Sequence, residues 1–170
     1  MIVILHNIRS VFNVGSIFRT ADGVGVEKIY LCGVTPGPLD KFGFKRADFT
    51  KVSLGSEKSV KWEQRSSTTM LLDKLKREGF MILAVEQSPN STPYYSYNRL
   101  LPPSTSLRAR NDGGICLVMG NEVNGLPKSV LDRADKILEI PMKGSKESLN
   151  VAIAFGIVVY HLMYGYMESA

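Results

Sequence analysis

Five apolar runs of four or five residues punctuate the chain, at 2–5, 28–32, 81–85, 115–119 and 137–140, each bounded by polar or glycine-containing segments. Runs of this length, rich in β-branched residues, predict strands covered on both faces. The stretches between them carry apolar residues at helical spacing. One helix is expected over about 14–22 with Asn13 as its N-cap, and a second over about 68–78, capped by Ser67 and stopped by Gly79. A short third helix has Pro127 in its first turn, and the last starts near Leu149 with Ser148 able to cap it. This alternation predicts an α/β domain, a mainly parallel sheet flanked by helices, with all 170 residues in one domain. Residues 151–167 are apolar except for Gly156, His161 and Gly165, and at 17 residues they only touch the lower limit for a membrane span. They read as a buried helix, which must be covered on all sides by its own domain and by a partner subunit.

Two stretches break the pattern. Residues 33–43 hold several Gly and Pro punctuators, and 87–112 form a long polar segment with Pro89, Pro93, Pro102 and Pro103. The second interleaves Tyr94, Tyr95 and Tyr97 with Arg99, Arg108 and Arg110, a composition suited to stacking on bases and neutralising phosphates. Charge points the same way. The formal net charge is +5, and residues 41–77 contain ten basic and four acidic residues, so the excess lies in this one segment. That is what a polyanion-binding face needs. Cys32 and Cys116 sit inside apolar runs without metal-ligand spacing, and the N-terminus has no basic, signal-like region, so a cytoplasmic protein with reduced cysteines is expected.

Several chemistries fail on inspection. The segment after the first strand carries a single glycine, Gly15, where a dinucleotide fingerprint needs three. Gly120 and Gly125 have phosphate-loop spacing but are followed by Leu126 and Pro127 rather than Lys and Ser/Thr. His6 and His161 are the only histidines and the carboxylates do not cluster, which leaves no metal site and no base for a Cys or Ser nucleophile. Four polar residues remain: Asn13 and Arg19 around the first helix, Glu122 after the 115–119 strand, and Asn150 opening the last helix. All four belong at the carboxyl ends of strands, where open α/β sheets bind ligands.

Three ordered motifs carry a resemblance to a known family. They are Asn13-Val-Gly-Ser-Ile-Phe-Arg19-Thr-Ala, Gly120-Asn-Glu122-Val-Asn-Gly125-Leu, and Ile140-Pro-Met142 followed by Ser148-Leu-Asn150-Val-Ala152. Together they resemble the SpoU/TrmH branch of the SPOUT RNA methyltransferases, over nearly the whole chain. The resemblance implies a C-terminal deep trefoil knot, a fold no periodicity predicts. It implies S-adenosylmethionine bound by Val85, Gly120, Ile140, Ser148 and Leu149, and a catalytic set of Asn13, Arg19, Glu122 and Asn150 that methylates a ribose 2′-hydroxyl in tRNA or rRNA. It also implies a homodimer through the C-terminal helix.

Because arginine is effectively never deprotonated in proteins, Arg19 is expected to bind a phosphate and stabilise a developing alkoxide rather than act as a literal base. With no separate RNA-binding domain expected, Arg9, Lys41, Lys45 and Arg46 are the candidate RNA contacts, and neither a metal nor a membrane partner is anticipated. A knotted RNA-binding protein without methyl transfer, and base methylation on the same fold, are the competing readings.

Overall fold

A computed structural model describes residues 1–97 and 114–165. In chain order the elements are β1 (Ile2–His6), α1 (Val11–Val24), β2 (Lys28–Cys32), α2 (Ala47–Ser53), α3 (Ser56–Ser59), β3 (Lys61–Arg65), α4 (Thr68–Arg77), β4 (Met81–Val85), β5 (Thr92–Pro93), β6 (Ile115–Met119), α5 (Lys128–Leu131), β7 (Lys136–Glu139) and α6 (Val151–Tyr164). The strands form one sheet in the order β3-β2-β1-β6-β4-β7-β5, and every pairing is parallel. The chain leaves β1 toward β2 and β3 on one side, while β6, β4 and β7 lie on the other. This reversal opens a crevice at the carboxyl ends of β1 and β6.

Alternate residues of each strand feed two cores. Val3, Leu5, Ile29, Leu31, Leu83 and Leu117 pack toward α1 and α6, whose Phe18, Phe155 and Val159 are fully buried. Ile2, Ile4, Cys32, Ile82, Cys116 and Val118 pack against Leu71, Leu72 and Leu75 of α4 and Val130 of α5. Cover on both faces explains why the central strands read as unbroken apolar runs.

The strands expected at 28–32, 81–85 and 115–119 match β2, β4 and β6, while β1 runs one residue longer than expected and β7 lies one residue earlier. Ser67 caps α4 as expected, its Oγ accepting from the Met70 N–H. Two expected caps are corrected. Ser10 rather than Asn13 caps α1, accepting from the Asn13 N–H, so that helix starts three residues earlier. Asn150 rather than Ser148 caps α6, accepting from the N–H groups of Ala152 and Ile153. In both cases a nearer side chain reaches the free first-turn donors.

β3, α2 and α3 were not expected. β3 reads Lys-Trp-Glu-Gln-Arg because it is an edge strand, half-buried to exposed, and α2 and α3 are short pieces within the basic segment. β5 is a two-residue edge strand in which Pro93 is tolerated. The apolar helix α6 buries Val151, Phe155, Val158, Val159 and Leu162, but Ile153, Tyr160 and Tyr164 face outward. Residues 166–170, including the end of the expected 151–167 helix, lie outside the described residues.

Candidate functional site

The crevice between β1 and β6 holds a directed line of hydrogen bonds. The helix N–H groups of Ala152 and Ile153 fix the Asn150 Oδ1, at 2.9 and 3.4 Å. Asn150 Nδ2 then donates to Asn13 Oδ1 at 3.0 Å, and Asn13 Nδ2 donates to Glu122 Oε1 at 2.9 Å. The partners at either end set the orientation of both amides, since each oxygen faces a donor and each nitrogen an acceptor. Each amide nitrogen uses one of its two hydrogens in this line. Glu122 also accepts from the backbone N–H groups of Ser10 and Arg9, at 3.2 and 3.1 Å, at the N-cap of α1 and the residue before it. Partial burial pushes its carboxyl up, but the hydrogen bonds from Arg9, Asn13 and Ser10 outweigh burial and hold it below the ordinary glutamate range.

Beside this line a cavity of about 200 Å³ opens at the carboxyl ends of β4, β6 and β7. Val85, Gly120, Ile140, Ser148 and Leu149, the five residues expected to bind a cofactor, all line it, together with Glu122. Gly120 is obligatory for its shape. A Cβ there would lie 2.8 Å from the carbonyl carbon of Gly125 and 2.9 Å from Leu126 N. Gly125 has φ of +62°, and a Cβ on it would run into the Glu86 carboxylate. Glycine backbone beside the apolar side chains of Val85, Ile140 and Leu149 makes a lining suited to a flat, largely uncharged group.

Arg19 is not part of the line. It sits six residues beyond Asn13 on α1, about 9 Å further along the axis, exposed and, among the described residues, without a hydrogen bond or ion pair. Arg9 lends its backbone to Glu122 and its side chain is exposed. Lys41 and Lys45 are exposed, whereas Arg46 is paired with Asp48 at 3.0 Å.

The basic segment does not form one face. Lys61 opens β3 and Arg65 ends it, at opposite edges of the sheet. Lys74, Lys76 and Arg77 occupy the last turn of α4, with Lys76 paired at 2.9 Å to Asp135, just before β7, on the amino edge. Lys41, Lys45, Arg46 and Arg65 remain on the carboxyl side. Of the tyrosines in the 87–112 stretch, Tyr94 packs edge-on to His161 of α6 and Tyr97 donates to the Met81 sulfur, so both serve packing, while Tyr95 is exposed. Arg99, Arg108 and Arg110 lie outside the described residues.

Three residues that composition and motif reading passed over support the site. Glu86 accepts from Leu126 N at 2.7 Å and braces the 120–126 loop from below. Asn121 donates to the Asn7 carbonyl at 2.6 Å and accepts from Val123 N and Asn124 N, tying the same loop to the end of β1. Asn7, at φ of +53°, accepts from Val34 N. Glu86 and Asn7 each stand immediately after an apolar strand, which is the signal that could have found them. The histidine next to Asn7, His6, bonds Thr68 Oγ1 at 2.7 Å, and burial lowers its pKa.

The model of the SpoU rRNA Methylase family matches residues 1–160. The chain belongs to this family. Among curated relatives, the Neisseria meningitidis 23S rRNA (guanosine-2′-O-)-methyltransferase RlmB is 30% identical over 94% of this chain and 56% of its own length. The Aquifex aeolicus tRNA (guanosine(18)-2′-O)-methyltransferase is 31% identical over 94% of this chain and 67% of its own length. The chain thus spans between about half and two thirds of these relatives. Family members of known structure share the parallel sheet and flanking helices. The A. aeolicus TrmH/SpoU tRNA modifying enzyme is 30% identical with a TM-score of 0.76, over 95% of this chain and 72% of that one. The AdoMet-bound rRNA methyltransferase from Sinorhizobium meliloti is 26% identical with a TM-score of 0.81, over 98% and 57%.

Proposed function

We propose that the chain methylates a ribose 2′-hydroxyl of structured RNA, tRNA or rRNA, using S-adenosylmethionine. One observation carries this reading: the Asn150–Asn13–Glu122 line ends at Glu122, in the wall of a cavity lined by all five residues the cofactor was expected to need. The names of the relatives, guanosine 2′-O-methyltransferases of rRNA and tRNA, support the same activity. When bound, S-adenosylmethionine would supply an electrophilic methyl group, taken by the ribose oxygen as the C–S bond breaks, with S-adenosylhomocysteine leaving and the hydroxyl proton passing to water. Val85, Gly120, Ile140, Ser148 and Leu149 hold the cofactor.

The second amide hydrogens of Asn13 and Asn150 orient the ribose, and Glu122 keeps Asn13 and the first turn of α1 in register. Fixing the hydroxyl in line with the methyl group supplies much of the acceleration. Arg19, about 9 Å along α1 from Asn13, binds the neighbouring phosphate and stabilises the developing alkoxide through its charge rather than as a member of the hydrogen-bond line. Replacing it, as in Arg19→Ala, should abolish methyl transfer to RNA while calorimetric binding of S-adenosylmethionine persists; near-normal turnover would overturn the assignment.

The chain acts as one methyltransferase domain, a homodimer through α6, with its C-terminal part threaded into a trefoil knot. Support for the dimer comes from the outward stripe of Ile153, Tyr160 and Tyr164, 56%, 50% and 46% exposed. Gly23 of α1 lies against the Tyr160 hydroxyl, and Arg19 is one turn from Gly23 on the same face, so Arg19 borders this stripe. Support for the knot comes from the C-terminal region, where the 120–126 loop, the 140–149 segment and α6 converge on the ends of β1 and β4.

No metal takes part in this reading. Among the described residues no group of His, Cys, Asp or Glu is gathered as a metal site, and no helix is long and apolar enough to cross a membrane. A cytoplasmic location is supported by the two free, buried cysteines; burial pushes the Cys32 thiol up to about 11.

A further inference from the structure

The turn at 39–45, which follows β2, exposes two phenylalanines that no part of the described chain covers. Phe42 and Phe44 are each 72% exposed, beside Leu39 and, nearer the strand, Val34. The turn is nevertheless tightly built. Asp40 Oδ1 accepts from Phe42 N at 2.8 Å and Phe44 N at 2.9 Å, Asp40 N donates to the Phe44 carbonyl at 2.8 Å, and Leu39 and Lys45 form an antiparallel bridge. Gly43, at φ of +85°, closes it. Apolar rings held outward on a rigid turn keep the unfavourable hydration of their surface with no packing in return, which marks a surface built to be covered.

The surroundings identify the cover. Lys41 Nζ sits 4.9 Å from the centroid of the Phe42 ring, and Lys45 and Arg46 flank Phe44 in the chain. Behind the turn, Lys41, Arg46, Trp62 and Gln64 line a groove of about 830 Å³. Aromatic rings interleaved with cations suit a strand of unpaired nucleotides, whose bases stack while its phosphates are neutralised.

The base of the turn is fixed to the catalytic edge. Thr35 Oγ1 accepts from Ile8 N at 3.1 Å and approaches the Leu5 carbonyl at 2.9 Å, and Val34 N donates to Asn7. Ile8 directly precedes Arg9 and Ser10, whose N–H groups hold Glu122. We infer that Phe42 and Phe44 form a stacking platform for unpaired nucleotides of the substrate RNA, with the exposed Lys41 and Lys45 on their phosphates and Arg46 held beside them by Asp48. This inference rests on the proposed RNA methyl transfer and names its substrate as a loop or single-stranded segment.

The test is fluorescence anisotropy of the full chain with a labelled, unstructured RNA of about 12 nucleotides, and with the same sequence as a blunt duplex. Phe42→Ala and Phe44→Ala should each weaken single-strand binding by about 5- to 100-fold and duplex binding by less than about twofold. The slope of log affinity against log salt should not change. Phe42→Trp should restore binding and show quenched fluorescence on RNA addition. Lys41→Ala and Lys45→Ala should instead each reduce the salt slope by about 0.7. Equal losses on single strand and duplex, or unchanged RNA binding in the alanine variants, overturns the platform. So does a change in sedimentation without a change in RNA affinity, which would make the turn a protein contact. Wild type that methylates RNA while the phenylalanine variants bind it normally removes the platform and leaves the proposed activity standing; wild type that neither binds nor methylates RNA removes both.

Discussion

Gly120 is the position at which the least chemical change should do the most to the cavity. In Gly120→Ala the new methyl carbon lies 2.8 Å from the Gly125 carbonyl carbon and 2.9 Å from Leu126 N and Cγ. Carbon atoms rest at about 3.5–4.0 Å, so the 125–126 backbone must retreat by about 0.7 Å. That movement displaces Leu126 N, whose 2.7 Å bond to Glu86 braces the loop, from its present geometry. Overpacking of this kind costs about 1–3 kcal/mol, and a chain of this size loses about 2–4 °C in melting temperature per kcal/mol.

The expected fall is therefore about 2–12 °C. The displaced loop lines the cavity, so calorimetric affinity for S-adenosylmethionine should fall at least about tenfold, equivalent to about 1.4 kcal/mol. Gly144→Ala is the control, because a Cβ there meets nothing within 4 Å; it should stay within about 0.5 kcal/mol of wild type. A Gly120→Ala protein that melts within about 1 °C of wild type and binds the cofactor normally would refute the packing argument.

Three further outcomes follow from the same geometry. Glu122 has its carboxyl held below the ordinary value of 4.5, so its contribution to stability is complete above that pH and is lost as pH falls through the lower, folded value. Because the group is largely exposed, urea melts at pH 7 should show Glu122→Gln less stable by under about 1 kcal/mol, a difference that shrinks toward zero in acid; a constant difference down to pH 3 would contradict it. Ile153→Asp, on the outward stripe of α6, should convert a dimer into a monomer by light scattering at micromolar concentration without lowering the melting temperature of the isolated fold, and a wild-type chain that is already monomeric would count against the interface. Ser67→Ala removes the acceptor for Met70 N and should cost about 1 kcal/mol in melts while leaving cofactor binding unchanged.

Periodicity and punctuation alone determined the five central strands, the helix from Thr68 and the α/β class, because residues covered on both sides of a sheet must be apolar in sequence. The motifs pointed to the carboxyl ends of β1 and β6, where Asn13, Glu122 and Asn150 come together, since glycines and amides after strands leave few other uses for those residue types. Tertiary structure decided the rest. It set the order of the strands, and with it the meeting of Asn13 with Glu122 and Asn150, which lie 109 and 137 residues further along the chain.

Strand order also divided a basic segment that looks continuous in sequence between two edges of the sheet, because a strand's ends lie on opposite sides whatever its charge. The helix caps went to Ser10 and Asn150 because capping depends on which oxygen reaches a free N–H, a matter of ångströms that residue preferences do not resolve. β3 escaped notice for the converse reason: an edge strand with a wet face has no need of an apolar sequence. Nor did composition point to Glu86 or Asn121, whose importance is a fit against a loop from elsewhere in the chain. Local patterns in a sequence report what each segment must hide from water, whereas contacts between distant segments depend on how those hidden surfaces are stacked.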